Sequence, residues 1–92
     1  MHTLTAEEIA TRLAALPTWS LEGGMLTRTF AFKDFVAALG FVNRVGDAAE
    51  DAGHHPDIDI RYNRVRLALS THDAGGLTAR DFTLAARIDK LA

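Results

Sequence analysis

Apolar residues recur along this chain at two different spacings, and the switches between them divide it into seven elements. Ile9, Leu13 and Leu16 follow one another at helical steps behind Thr5 and Glu8, a pair spaced for a capping box, and Pro17 ends the run. Trp19 and Leu21 then alternate with polar neighbours, Gly23 and Gly24 offer a tight turn, and Leu26, Phe30 and Phe32 share one face of a second run, which predicts a hairpin. Asp34 is a natural N-cap for the longest periodic segment, in which Phe35, Ala38, Leu39, Val42, Val45 and Ala49 repeat at three- and four-residue steps until Gly53 stops it. Alternation returns after Pro56 with Ile58, Ile60 and Tyr62, and resumes beyond Asn63 and Arg64 with Val65, Leu67 and Leu69, a second hairpin. Gly75 and Gly76 break the chain, Thr78 can cap, and Leu84, Ile88 and Leu91 form a last helical stripe. The order αββαββα predicts an α+β fold, a four-stranded antiparallel sheet with helices packed on one face.

Composition narrows what such a fold can do. Ninety-two residues, 48% of them hydrophobic, fit one domain spanning 1–92. A core this small leaves stability modest and favours self-association. Ten basic and twelve acidic residues are interspersed for a net charge of −2, which gives no electrostatic footprint for direct nucleic-acid binding. The absence of cysteine removes disulfides, thiolate nucleophiles and thiolate metal sites, so a metal would need histidine and carboxylate ligands. The first residues lack the basic and apolar runs of a secretory signal, and no apolar stretch approaches membrane-spanning length, so a cytoplasmic protein is expected.

The chemistry is concentrated in histidine, whose unperturbed pKa of about 6.5 allows proton transfer near neutrality. Three of the four histidines flank the second hairpin: His54 and His55 precede Pro56, and His72 follows its last strand. A two-residue turn at Asn63 and Arg64 would set Tyr62 opposite Val65, Ile60 opposite Leu67 and Ile58 opposite Leu69, and would carry His55 to His72 at the open end. That register places Arg61 across from Arg66, a like-charge pair. Glu50 lies one helical turn before His54, where its carboxylate can hydrogen-bond an imidazole, and Asp81 sits within reach while also matching the acid of a capping box begun by Thr78. Taken singly, each histidine reads as a helix-end or strand-end residue; their convergence points to a site. His54, His55, His72 and a carboxylate satisfy a metal site by count, but adjacent histidines on an extended chain point apart and no His-Glu-x-x-His pattern is present.

The segment Glu50-Asp51-Ala52-Gly53-His54-His55-Pro56, followed by Tyr62, Thr71-His72, Gly75-Gly76-Leu77-Thr78 and Asp81, resembles the pterin-4a-carbinolamine dehydratase family. The resemblance extends to Phe35, Ala38, Phe41 and Val45 and to Leu84, Ala85, Ile88 and Asp89, which look like the family's second and third helices. It implies a hydro-lyase that converts 4a-hydroxytetrahydropterin to quinonoid dihydropterin and water, recycling the pterin of aromatic amino acid hydroxylases without a metal or other cofactor. It implies His54 and His72 as the acid–base pair, in either order, and His55 as the third histidine of the catalytic group, binding and orienting the pterin. Glu50, Pro56, Ser70, Thr71 and Asp81 are implied as substrate-binding positions, and a homodimer or homotetramer as the assembly. Some family members also serve as dimerisation cofactors of a transcription factor, so an interaction module is the alternative from another class.

Overall fold

The computed structural model describes residues 2–92. Helix α1 covers Ala6–Ala14, strands β1 and β2 cover Ser20–Glu22 and Met25–Ala31, and helix α2 runs through Phe35–Ala52. Strands β3 and β4 cover Asp57–Arg61 and Arg64–Leu69, a single 3₁₀ turn covers His72–Ala74, and helix α3 closes the order at Ala79–Asp89. The predicted αββαββα order and α+β class are both present.

The local signals act as the sequence suggests. Thr5 and Glu8 exchange side-chain and backbone hydrogen bonds at the head of α1. Asp34 accepts from the Ala37 N–H at 2.8 Å and starts α2. Gly53 ends α2 in the left-handed region at φ 61°, a conformation that costs a side-chain-bearing residue about 1 kcal/mol or more.

All strand pairs are antiparallel, in the spatial order β1-β2-β4-β3. Leu26, Phe30, Val65, Leu67 and Leu69 share one face and are buried, whereas Thr29, Arg64, Arg66, Asp59 and Arg61 occupy the other. The helices therefore cover one face, and the opposite face carries the exposed polar residues together with the buried pair Thr27 and Ala68. Phe41 of α2, fully buried, packs its ring 4.6 Å from that of Phe30 and 4.9 Å from that of Phe32. Beside the same Phe30 ring, Asp89 of α3 accepts from Trp19 Nε1 at 2.8 Å and from Arg28 at 2.7 Å. Among the described residues no helix is long and apolar enough to cross a membrane.

The second hairpin departs from the expected register. Ile60 pairs with Val65, Ile58 with Leu67 and Arg61 with Arg64, so the turn residues are Tyr62 and Asn63, not Asn63 and Arg64. Asn63 decides the shift: its side-chain amide donates to Phe32 O at 2.7 Å and its own carbonyl accepts from Phe32 N at 2.9 Å, tying the turn to the end of β2. A two-residue slip leaves each side chain on its original face, because the strand period is two. It also replaces the expected Arg61–Arg66 pairing with Asp59 opposite Arg66. Tyr62 adopts φ 52° and its side chain turns to solvent.

Strand β3 is an edge. Its Ile58 and Ile60 face the helix side but remain 39% and 37% exposed, because α2 does not extend over them. Phe35, Val36 and Leu39 of α2 are exposed as well.

Candidate active site

Gly53 determines what happens to the two adjacent histidines. Its left-handed conformation folds the chain back so that the His54 N–H reaches Ala49 O at 3.1 Å, and the extended residues that follow point to opposite sides. His54 turns inward and is buried, while His55 turns outward with most of its side chain exposed.

The inward ring meets Asp81. His54 Nε2 lies 2.6 Å from Asp81 Oδ1, and Asp81 is 0% exposed. The other carboxylate oxygen accepts from the Thr71 hydroxyl and from the Thr78 N–H, both at 2.9 Å. Thr71 gives its only hydroxyl proton to Asp81, so its 2.8 Å contact with Thr78 Oγ1 is a bond that Thr78 donates. Among the described residues no buried side-chain nitrogen or oxygen lacks a partner. A carboxylate only accepts, so the proton of a neutral His54 ring sits on Nε2, and Nδ1 is the nitrogen left to serve a ligand.

The outward ring meets Glu50. His55 Nε2 hydrogen-bonds Glu50 Oε2 at the surface, so the imidazole that Glu50 engages is His55 and not the nearer-spaced His54. His72 opens the 3₁₀ turn and is exposed. The hairpin-end pairing of His55 with His72 does not form: strand pairing stops at Asp57 and Ala68, and Thr71 bridges Gly76 within its own loop. The histidines nevertheless come together, because His54, His55, Ser70, Thr71 and His72 line one open cavity of about 210 Å³.

Two further depressions adjoin it. One of about 270 Å³ lies between the end of α2 and α3 and shares His54 and Arg80 with the histidine cavity. The other, about 350 Å³, shares Ser70, Thr71 and His72 and is otherwise walled by Met25 and the glycines of two turns.

Three expected contact residues stand elsewhere. Asp81 is behind His54, fully enclosed, and does not line the cavity; its capping-box bond to Thr78 and its grip on His54 are made by the same carboxylate. Glu50 reaches the site through His55, and Pro56 separates the histidine corner from β3 without lining the cavity. Arg80 was not singled out by motif or spacing. It lines the cavity and donates to Gly53 O at 2.7 Å, and its position beside Asp81 in the first turn of α3 was the one sequence signal available. Among the described residues, no three His, Asp or Glu side chains converge as a metal-ligand group.

A family model described as pterin 4 alpha carbinolamine dehydratase matches residues 2–91. The chain belongs to this family. A relative from Acidobacterium capsulatum, named "Putative pterin-4-alpha-carbinolamine dehydratase", is 63% identical over 91 residues, which is 99% of each chain. One from Chloroflexus aurantiacus with the same name is 62% identical, covering 99% of this chain and 98% of its own. Among solved structures, a "transcriptional coactivator/pterin dehydratase" from Brucella melitensis superposes with a TM-score of 0.94 at 36% identity over 99% of both chains. A "pterin dehydratase-like protein" described as a RuBisCO assembly factor of the alpha-carboxysome gives a TM-score of 0.70 at 28% identity, over 82% of this chain and 89% of its own. The family thus includes relatives named for chemistry and relatives named for protein contacts.

Proposed function

We propose that this pterin dehydratase family member is an active hydro-lyase that dehydrates 4a-hydroxytetrahydropterin to quinonoid dihydropterin and water. The observation that carries the reading is the meeting of three histidines at one cavity, one of them held in a defined tautomer by a buried carboxylate. The reaction breaks the C4a–O bond and forms the C4a–N5 double bond. The hydroxyl leaves as water with a proton from an acid, and N5 gives its proton to a base, so the enzyme is regenerated when one proton passes from base to acid through solvent. An acid and a base on a preorganised surface suffice for this step.

His54 is the base in this reading, acting through Nδ1, because Asp81 on the far side of the ring stabilises the imidazolium that forms. His72 is the acid; its exposure lets it recover a proton from water. His55, steadied by Glu50, binds and orients the pterin, and Ser70 offers backbone groups to the ring where β4 ends, whereas the Thr71 N–H and carbonyl are engaged within its own loop and Thr71 contributes by lining the cavity. Spectroscopic decay of the 4a-carbinolamine tests this, with His54→Ala and His72→Ala each expected to slow turnover by about 10²- to 10⁴-fold. Equal rates for wild type and both variants would overturn it.

Self-association, which is compatible with the hydro-lyase reading, is supported by the exposed apolar residues Phe35, Val36 and Leu39 on α2 and Ile58 and Ile60 on the β3 edge. Exposed apolar residues and an unpaired strand edge favour association, here between copies of this chain as a homodimer or homotetramer. Sedimentation equilibrium of wild type and Ile60→Lys checks it: a dimer or tetramer that dissociates in the variant supports self-association, and a wild-type monomer refutes it.

A further inference from the structure

Apart from His54, the residues of the groove between the C-terminal end of α2 and α3 have no part in the dehydration step. The groove is lined by the apolar Ala52, Ala79 and Leu84, by Thr83, and by His54, Arg80 and Arg87. Arg80 and Arg87 are seven residues apart on α3, so they lie on one face about 10 Å from each other along the axis. His54 and Arg80 also wall the histidine cavity, so the two depressions meet at these side chains. A pterin whose N5 lies against His54 carries its C6 substituent on the neighbouring ring atom, next to the junction that His54 and Arg80 form.

The charge at that junction is positive. Arg80 is half-buried, and its guanidinium is held by a neutral carbonyl, Gly53 O, and by no carboxylate within ion-pair distance among the described residues. Its remaining N–H donors are free for a ligand. Nearby acids are already engaged: Asp81 is enclosed by its donors, Glu50 pairs with His55, and Asp51 pairs with Arg87 at 2.8 Å. Asp73 lines the histidine cavity, as Arg80 does, but makes no ion pair with it and does not line the groove. A half-buried guanidinium satisfied only by a backbone carbonyl is a receptor for anionic oxygens.

We propose that this groove is a subsite for the C6 substituent of the pterin, and that Arg80 makes it selective for substituents ending in an anionic oxygen group such as a phosphate ester. The assignment rests on the pterin reading above and names the class of pterin that the site prefers. Arg80 is the specificity-determining residue, and Arg87, already paired with Asp51, contributes less.

Equilibrium binding by calorimetry compares two stable 7,8-dihydropterins, one with a methyl group at C6 and one with a phosphorylated trihydroxypropyl chain. Wild type is expected to bind the phosphorylated compound about 10- to 100-fold more tightly, the range of a charge-assisted hydrogen bond. Arg80→Gln is expected to bring the ratio of the two dissociation constants close to one, Arg80→Lys to keep part of it, and Arg87→Gln to lower it less than Arg80→Gln does. A role for Arg80 confined to tying α3 to the end of α2 would lower the melting temperature and both affinities together, leaving the ratio intact, and that result overturns the assignment. Equal affinities in wild type also overturn it while leaving the dehydratase reading in place. Binding of neither pterin by folded wild type overturns both.

Discussion

Replacing Asp81 with asparagine keeps the volume of a side chain that is 0% exposed and changes one property, its capacity to accept on every side. The carboxylate takes protons from three directions: the Thr71 hydroxyl and Thr78 N–H at 2.9 Å on one oxygen, and His54 Nε2 at 2.6 Å on the other. An asparagine oxygen facing Thr71 and Thr78 preserves two of these bonds and turns its NH₂ group toward His54. The imidazole must then accept at Nε2, so its proton moves to Nδ1 and the lone pair proposed to receive the N5 proton is lost. One charge-assisted bond exchanged for a neutral one costs about 1–2 kcal/mol, which for a chain of this size lowers the melting temperature by about 4–15 °C and leaves the protein folded. The turnover number is expected to fall by about 10³- to 10⁴-fold, because the ring is present in the wrong tautomer. Two assays run on the same samples: 4a-carbinolamine decay, and long-range ¹H–¹⁵N correlation of the imidazole, which distinguishes a proton on Nε2 from one on Nδ1. Wild type should show Nε2–H and the variant Nδ1–H. An undiminished rate in a folded Asp81→Asn protein, or Nδ1–H in wild type, refutes the reasoning.

Other perturbations probe the scaffold. Gly53→Ala meets no atom within 4 Å at its new Cβ, so its cost is the left-handed backbone alone, about 1–2 kcal/mol by urea denaturation; a loss above about 4 kcal/mol would mean that the corner holding His54 had collapsed. Phe41→Ala, removing a fully buried ring from beside Phe30 and Phe32, should cost about 3–5 kcal/mol in the same assay, and a loss under about 1 kcal/mol would contradict the packing described. Glu8 is held below the ordinary carboxylate range chiefly by the Thr5 N–H that it accepts, and then by the Thr5 hydroxyl. A depressed pKa in the folded state means that the stabilising contribution is present at neutral pH and is lost as pH falls through Glu8's folded value. The melting temperature of wild type should therefore exceed that of Glu8→Gln near pH 7, and the gap should close on acidification; a constant gap would show that the charge of Glu8 plays no part.

Much of this molecule is legible in sequence because the signals are local. The capping boxes at Thr5–Glu8 and Thr78–Asp81 and the glycine stop at Gly53 each act within a few residues, and all three operate in the structure. The gathering of histidines was legible as well, since any near-symmetric closure of the β3–β4 hairpin brings His72 toward the His54–His55 corner. Register was not. Two pairings that differ by two residues place the same side chains on the same faces, so hydrophobic alternation cannot separate them. The choice is made by Asn63 bonding to Phe32, 31 residues earlier in the chain.

The same division runs through the site. From sequence alone follow the α+β order, the histidine-rich corner after α2 and the family resemblance, because each depends on residue type and short-range spacing. Only the tertiary structure distinguishes the two adjacent histidines, turning His54 onto Asp81, 27 residues away, and His55 onto Glu50 at the surface. It alone moves Asp81 from the cavity wall to a position behind the ring and brings Arg80 to the junction of the histidine cavity and the α2–α3 groove. Identical side chains acquire different chemistry through the partners that chain folding brings to them, and those partners lie beyond the reach of any local pattern.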